Sequence, residues 1–167
     1  MYLRNIFLLN LFASLIMSQE QLGSDIDGEA AGDYSGYSVS LDSDGDRVAI
    51  GAYLNDGSFN NAGHVRIYSW DGSSWSQLGS DINGGGTADW SGYSVSLDSD
   101  GDRVAIGATE ADGASSSFWN AGHVRIFSWD GSSWSQLGSD IDGEAAIDYS
   151  GTSVSLDSNG DRVAIGA

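Results

Sequence analysis

The chain has 167 residues and a formal net charge of −18, with six basic residues, all arginine, against 24 acidic ones. That balance leaves no clustered cations for a phosphate backbone or an anionic lipid surface, so nucleic-acid and headgroup binding are excluded. A hydrophobic share of 40% is too high for a solvated disordered segment, and the lack of cysteine removes disulfides, thiol catalysis and thiolate metal ligands together.

At the amino end, Arg4 precedes an apolar run from Ile6 to Met17, broken only by Asn10 and Ser14, and Ser18-Gln19 follows. A basic start, a short apolar core and a small residue at the cut site predict a signal peptide over residues 1–18. An anchor or a buried first helix fits less well, because the run is short for a membrane span. The expectation is an exported protein, secreted or at the cell surface, with no membrane span after cleavage.

Residues 19–167 are repeats. Tyr37 to Ala52, YSVSLDSDGDRVAIGA, returns unchanged as Tyr93 to Ala108, and again as Thr152 to Ala167 with two substitutions. Tyr37, Val39 and Leu41 alternate with Ser38 and Ser40, the period of a half-buried strand. Asp44-Gly45 predicts a two-residue turn, with Leu41 opposite Val48 and Val39 opposite Ile50. All four branched apolar residues then share one face, and a one-residue slip would destroy that agreement. On the other face Asp42 meets Arg47, with the same cross-strand ion pair expected at Asp98/Arg103 and Asp157/Arg162.

A loop leads to Gly63-His-Val-Arg-Ile-Tyr-Ser-Trp70, Asp71-Gly72 turns the chain, and Trp75-Ser-Gln-Leu78 runs back. A two-residue turn would set Tyr68 opposite Trp75; a four-residue turn would set Trp70 there, and both remain open. The stretch Gln21 to Ile26 recurs at Gln77 and Gln136 and reads as the fourth strand of a unit. The three residues that lengthen the second copy fall between Gly113 and Ala121, which marks a surface loop. Each unit is thus four antiparallel strands, which predicts an all-β chain of propeller-type blades, about two and a half repeats.

The run SGYSVSLDSDGDRVAIGA followed by AGHVRIYSW resembles the FG-GAP repeat of integrin-α-like β-propellers. Gly51-Ala52, Gly63 to Tyr68, Gly107-Ala108 and Gly122 to Phe127 match its pattern. At its opening, Ser35 stands where the family has an aromatic, and Tyr34 lies one place earlier; Trp90-Ser91-Gly92 and Tyr149-Ser150-Gly151 repeat the displacement. The resemblance implies a blade, and blades of this kind often bind calcium in the inter-strand turn.

Asp42, Asp44 and Asp46, repeated as Asp98, Asp100 and Asp102, are calcium candidates by spacing. Arg47 and Val48-Ala49-Ile50 stand where a calcium loop needs glycine and a further carboxylate, so a plain hairpin end is expected and no cofactor. His64 and His123 have no second His, Cys or nearby carboxylate at ligand spacing and read as strand residues. No activated Ser/His/Asp constellation is present. Trp70, Trp75, Trp129 and Trp134 recur regularly and read as packing between blades. Phe118 and Trp119 occur only in the longer loop and are candidate contact residues. The reading is a non-catalytic binding or adhesion module that recognises a protein or glycan through its loops. The alternatives are part of a secreted propeller hydrolase or lyase, and a purely structural repeat. Because a closed propeller needs roughly 4–8 blades, the chain is expected to be a piece of a longer one, with the remaining blades as its partners.

Overall fold

A computed structural model describes residues 20–113 and 118–167; the predicted signal peptide lies outside them. These residues are all-β. The first sheet takes β1 (Ser38–Leu41), β2 (Arg47–Ala52), β3 (His64–Trp70), β4 (Trp75–Gln77) and β5 (Ile82–Asn83). The second takes β6 (Ser91–Leu97), β7 (Arg103–Ala108), β8 (His123–Trp129), β9 (Trp134–Gln136) and β10 (Ile141–Asp142). A third begins with β11 (Ser153–Leu156) and β12 (Val163–Gly166). All pairings within the sheets are antiparallel.

In each complete sheet the two short strands form one broken edge, so the unit has four strands in space. Leu78 still donates its amide to the Ile67 carbonyl at 2.7 Å, in step with Trp75 opposite Trp70. Pairing resumes two residues out of step, with Ile82 opposite Val65. Gly79 sits at the break with φ +79°, and a Cβ there would lie 2.7 Å from the Trp129 ring of the next repeat. The break therefore makes room for an indole, and Trp134 Nε1 donates to the Leu78 carbonyl at 2.8 Å. The tryptophans do pack between repeats.

Leu41 pairs with Val48 and Val39 with Ile50, as the alternation requires. The turn between them differs from the predicted one. Backbone pairing ends at Asp42, whose amide donates to the Arg47 carbonyl, and the amides of Asp46 and Arg47 then turn to Asp42 Oδ1 at 3.0 and 3.2 Å. A carboxylate closes a four-residue loop, and Ser43 is freed to donate its amide to Ser99 of the next repeat. The expected ion pairs are also corrected. Arg47 reaches the Gly101 carbonyl at 3.0 Å and Arg103 reaches Asp161 at 2.6 Å, both in the following repeat. Only Arg162 pairs with its own Asp157, at 3.2 Å. A guanidinium with a following turn within reach spans to it; Arg162, in the last described repeat, turns back to the second oxygen of Asp157, whose Oδ1 closes the hairpin.

Trp70 stands opposite Trp75, so the second turn has four residues. Asp71 Oδ1 accepts the amides of Ser73 and Ser74 and the Ser73 hydroxyl, each at 2.8 Å. Asp130 repeats the arrangement. Those donors, the serine hydroxyl foremost, pull both carboxyls down to about 2.

The sheets stack face to face. Each presents Val, Leu and Ile to the preceding repeat and Ser, Ala and Gly, with two β3 or β8 residues, to the following one. Val95, Leu97, Val104, Ile106 and Phe127 thus pack on Ala49, Val65, Ile67 and Ile82. Val39 and Leu41 stand in the same places in the first sheet and are 62% and 59% exposed, against 8% and 6% for Val95 and Leu97. Hydrogen bonds stitch the stack: Ser38 Oγ to the Gly92 carbonyl and Ser94 Oγ to Gly151, both 2.7 Å, with the Leu97 and Leu156 amides on Ser40 and Ser96 Oγ at 3.0 Å.

The opening stretch, expected as a fourth strand, has no strand pairing among the described residues. It lies against the first sheet as Leu78 to Asn83 lies against the second: the Leu22 carbonyl accepts Trp75 Nε1 at 3.2 Å, and the Asp27 carbonyl accepts Arg66 Nη2 at 2.8 Å. Arg125 makes the equivalent bond to Asn83 at 2.8 Å.

Gly51 tests the stack directly. A Cβ there would collide with the Gly92 carbonyl, which is backbone and cannot yield. Gly51→Ala should cost about 3 kcal/mol or more by urea unfolding, whereas Gly85→Ala, whose nearest neighbour is 3.6 Å away, should be near neutral.

The serine-capped turns make an acid prediction. Folded carboxyls below the unfolded value of about 3.9 stabilise the fold above that pH, and the contribution is lost as pH falls toward about 2. The thermal midpoint should drop across that window. The Asp71→Asn/Asp130→Asn double variant should drop less.

Candidate functional site

One end of the stack collects the starts of β1, β6 and β11, the ends of β2 and β7, and the starts of β3 and β8. The tight Asp turns lie at the other end. At the loop end each repeat enters its first strand through an aromatic-Ser-Gly turn. Tyr34, Trp90 and Tyr149 hold φ of +56°, +59° and +53°, and the glycines two places on are also positive. The amide of Tyr37 closes the first turn on the Tyr34 carbonyl at 3.0 Å, and Tyr93 closes the second on Trp90 at 3.2 Å. A bulky residue in this region costs about 1–3 kcal/mol. Its recurrence at three turns explains the displaced aromatic in the sequence: the left-handed turn directs the ring out of the strand register.

The result is a cluster of rings. Tyr53 lies 5.5 Å from Tyr34, 4.6 Å from Tyr37, 5.4 Å from Trp90 and 5.5 Å from Tyr93, centroid to centroid. The hydroxyl of Tyr37 donates to that of Tyr93 at 3.1 Å. Tyr34 and Tyr37 remain 58% and 50% exposed. Beside them, Thr87, Asp89, Trp90, Glu110, Asp112 and Asn120 line a cleft of about 250 Å³. Asn120 bonds Glu110 through its side chain and Asp112 through its amide, so the acids of the cleft are held in place. Thr109 stands where Tyr53 does, and the cluster is confined to the junction of the first two repeats.

The predicted contact residues divide. Trp119 projects, 53% exposed, and its carbonyl takes the amide of Ile147 at 3.1 Å. Phe118 is half-buried; its carbonyl accepts the amides of Gly113 at 2.8 Å and Ala121 at 3.3 Å, bracing the neck of the loop. Both sit at the loop end, as does the aromatic cluster, which sequence reasoning did not single out.

The calcium candidates lie at the opposite end. Asp42 and Asp98 spend Oδ1 on two turn amides each, while Asp44 Oδ1 takes the Ser43 hydroxyl at 3.3 Å. A hydrogen bond from Asp46 to Asp42 raises the Asp46 carboxyl, and burial raises Asp98. Asp100 and Asp102 lie exposed in the second turn. The six residues are brought together as two hairpin ends.

The histidines are placed differently from the expectation, because the fold brings carboxylates to them. His64, 1% exposed, points Nδ1 at Glu29 Oε2, 3.8 Å away, and Asp81 Oδ2, 3.9 Å away. That nitrogen is buried without a hydrogen-bond partner. Burial lowers the His64 pKa, against the pull of Asp81 and Glu29. His123 has Asp140 at 3.9 Å, and burial lowers it too. The repeat held a signal for this grouping. Pairing β5 on β3 sets Asn83 opposite His64, which carries Asp81 alongside, and Glu29 follows from the equivalent segment of the unit before.

No protein-family model matches the chain, and no curated protein matches it.

Proposed function

We propose that the chain is a non-catalytic binding module, built from FG-GAP-like blades of an exported β-propeller, that recognises a glycan at its loop end. Face-to-face stacking, with β1, β6 and β11 successive along one side, supports the blade reading. The observation that carries the function is the exposed aromatic cluster beside an acid-and-amide cleft. Aromatic rings offer flat apolar faces to the C–H faces of a sugar, and Asp89, Glu110, Asp112 and Asn120 offer acceptors and a donor to its hydroxyls. The left-handed turns hold the rings in place before any ligand arrives, which lowers the ordering cost of binding. Trp119 extends the same surface. The turn carboxylates at the far end take no part in this reading, and their oxygens serve the hairpins.

An oligosaccharide array probed with the full chain should retain a defined class of glycan. Tyr34→Ala should weaken that binding by roughly tenfold, the effect of losing about 1.4 kcal/mol at a contact residue, and Asp44→Ala should leave it unchanged. Equal binding by Tyr34→Ala, or capture of a protein with no glycan bound, would overturn the assignment. Cleavage of the bound sugar would overturn the non-catalytic reading.

A further inference from the structure

The geometry points to a single divalent transition-metal site of the zinc class, formed by Glu29, His64 and Asp81 where the opening segment meets the first sheet. It is independent of glycan recognition. Three side chains from three parts of the chain each offer a ligand atom, and all of these lie within 4.8 Å of one another.

Three features favour a cation between them. His64 is 1% exposed and turns Nδ1 toward both carboxylates, at 3.8 and 3.9 Å. An imidazole nitrogen and two carboxylate oxygens are the ligand types that a zinc-class ion takes. The buried Nδ1 has no hydrogen-bond partner of its own. A cation held between the three would give that nitrogen a partner.

The spacing is close to what such an ion needs. Zinc lies about 2.0–2.2 Å from His nitrogen and carboxylate oxygen, which puts tetrahedral ligands about 3.3 Å apart. The observed 3.8 and 3.9 Å require closure by some tenths of an ångström, and the two carboxylate oxygens, within 4.8 Å of each other, must draw in as well. Glu29 is 44% exposed in the irregular stretch before β1, so its side chain has room for that move. An imidazole ligand favours zinc-type ions over calcium and magnesium, which prefer all-oxygen sets. Three protein ligands leave the fourth position to water.

The outer groups are suited to orient the first. Asn55 Nδ2 donates to Asp33 Oδ2 at 2.7 Å and reaches Glu29 Oε2 at 3.5 Å. Arg66 stands 4.0 Å from the other Glu29 oxygen, which steadies the carboxylate and leaves Oε2 turned to His64.

The second repeat is a natural control. His123 and Asp140 repeat two of the ligands, but Gly85 stands at the Glu29 position. One site per chain is therefore expected, not two. Gly85 is not in the left-handed region, and a Cβ there would meet only Asp89 Oδ2 at 3.6 Å, so the missing ligand can be supplied.

The test is calorimetric titration of zinc chloride into the full, untagged chain. One equivalent should bind in the micromolar range or tighter. Glu29→Gln should lose more than the roughly 10–100-fold typical of an outer-shell change, with its circular dichroism unaltered. Gly85→Glu should bind two equivalents. No bound zinc, two equivalents in the unaltered chain, unchanged affinity in Glu29→Gln, a stoichiometry still at one in Gly85→Glu, or calcium bound as tightly as zinc would each overturn the site.

Discussion

The contact on which the rest of the structure depends is between backbones. Gly51 lies against the Gly92 carbonyl and Gly107 against that of Gly151, with no room at either place for a methyl group. This approach lets Ser38 and Ser94 reach the same carbonyls and lets Ser40 and Ser96 accept amides from the next first strand. Small residues on one face and branched apolar residues on the other make each repeat complementary to its neighbour but not to itself. Stacking then proceeds in one direction, and the buried rows contribute roughly 1.5–3 kcal/mol per large side chain.

The same stacking builds the loop end. Because the repeats advance in register, the aromatic-Ser-Gly turn of one unit lands beside that of the next, and Tyr53 fills the space between them. Parallel bridges from Gly63 to Ser91 and from Gly122 to Ser150 tie each third strand to the following turn. The loop end is thus held by backbone on both sides, and rings in a costly left-handed turn can stay there. His64 is buried on the opposite face of β3, under the opening segment. Its two carboxylates come from different places: Asp81 arrives through the β5 pairing of the same sheet, and Glu29 through the opening segment laid against it.

Much of the fold was legible because the repeat is nearly exact. Val39, Leu41, Val48 and Ile50 could share a face in one register alone, and that register is the one observed. What could not be read was the division of labour between repeats. Asp42 and Arg47 look like partners in one hairpin, yet Asp42 closes its own turn while Arg47 spans to the next. A local pattern cannot say whether a long side chain turns inward or onward. His64 failed for the same reason: its neighbours are distant in sequence, and spacing rules look only nearby. Of the candidate contact residues Trp119 projects and Phe118 does not, a difference set by the loop's own hydrogen bonds. The displaced Tyr34 and Trp90 were visible as departures from a pattern, and their meaning lay in a backbone angle that residue type does not reveal.

The most direct measure of the stacking is amide hydrogen exchange at three equivalent leucines. Leu97 and Leu156 donate their amides across the junction to Ser40 and Ser96, both at 3.0 Å. Leu41 holds the same place in β1 with no such serine before it among the described residues. Leu97 and Leu156 should be strongly protected and Leu41 should exchange fast, with Ser40→Ala releasing Leu97 alone. Equal exchange at all three positions would contradict face-to-face stacking as the basis of the fold.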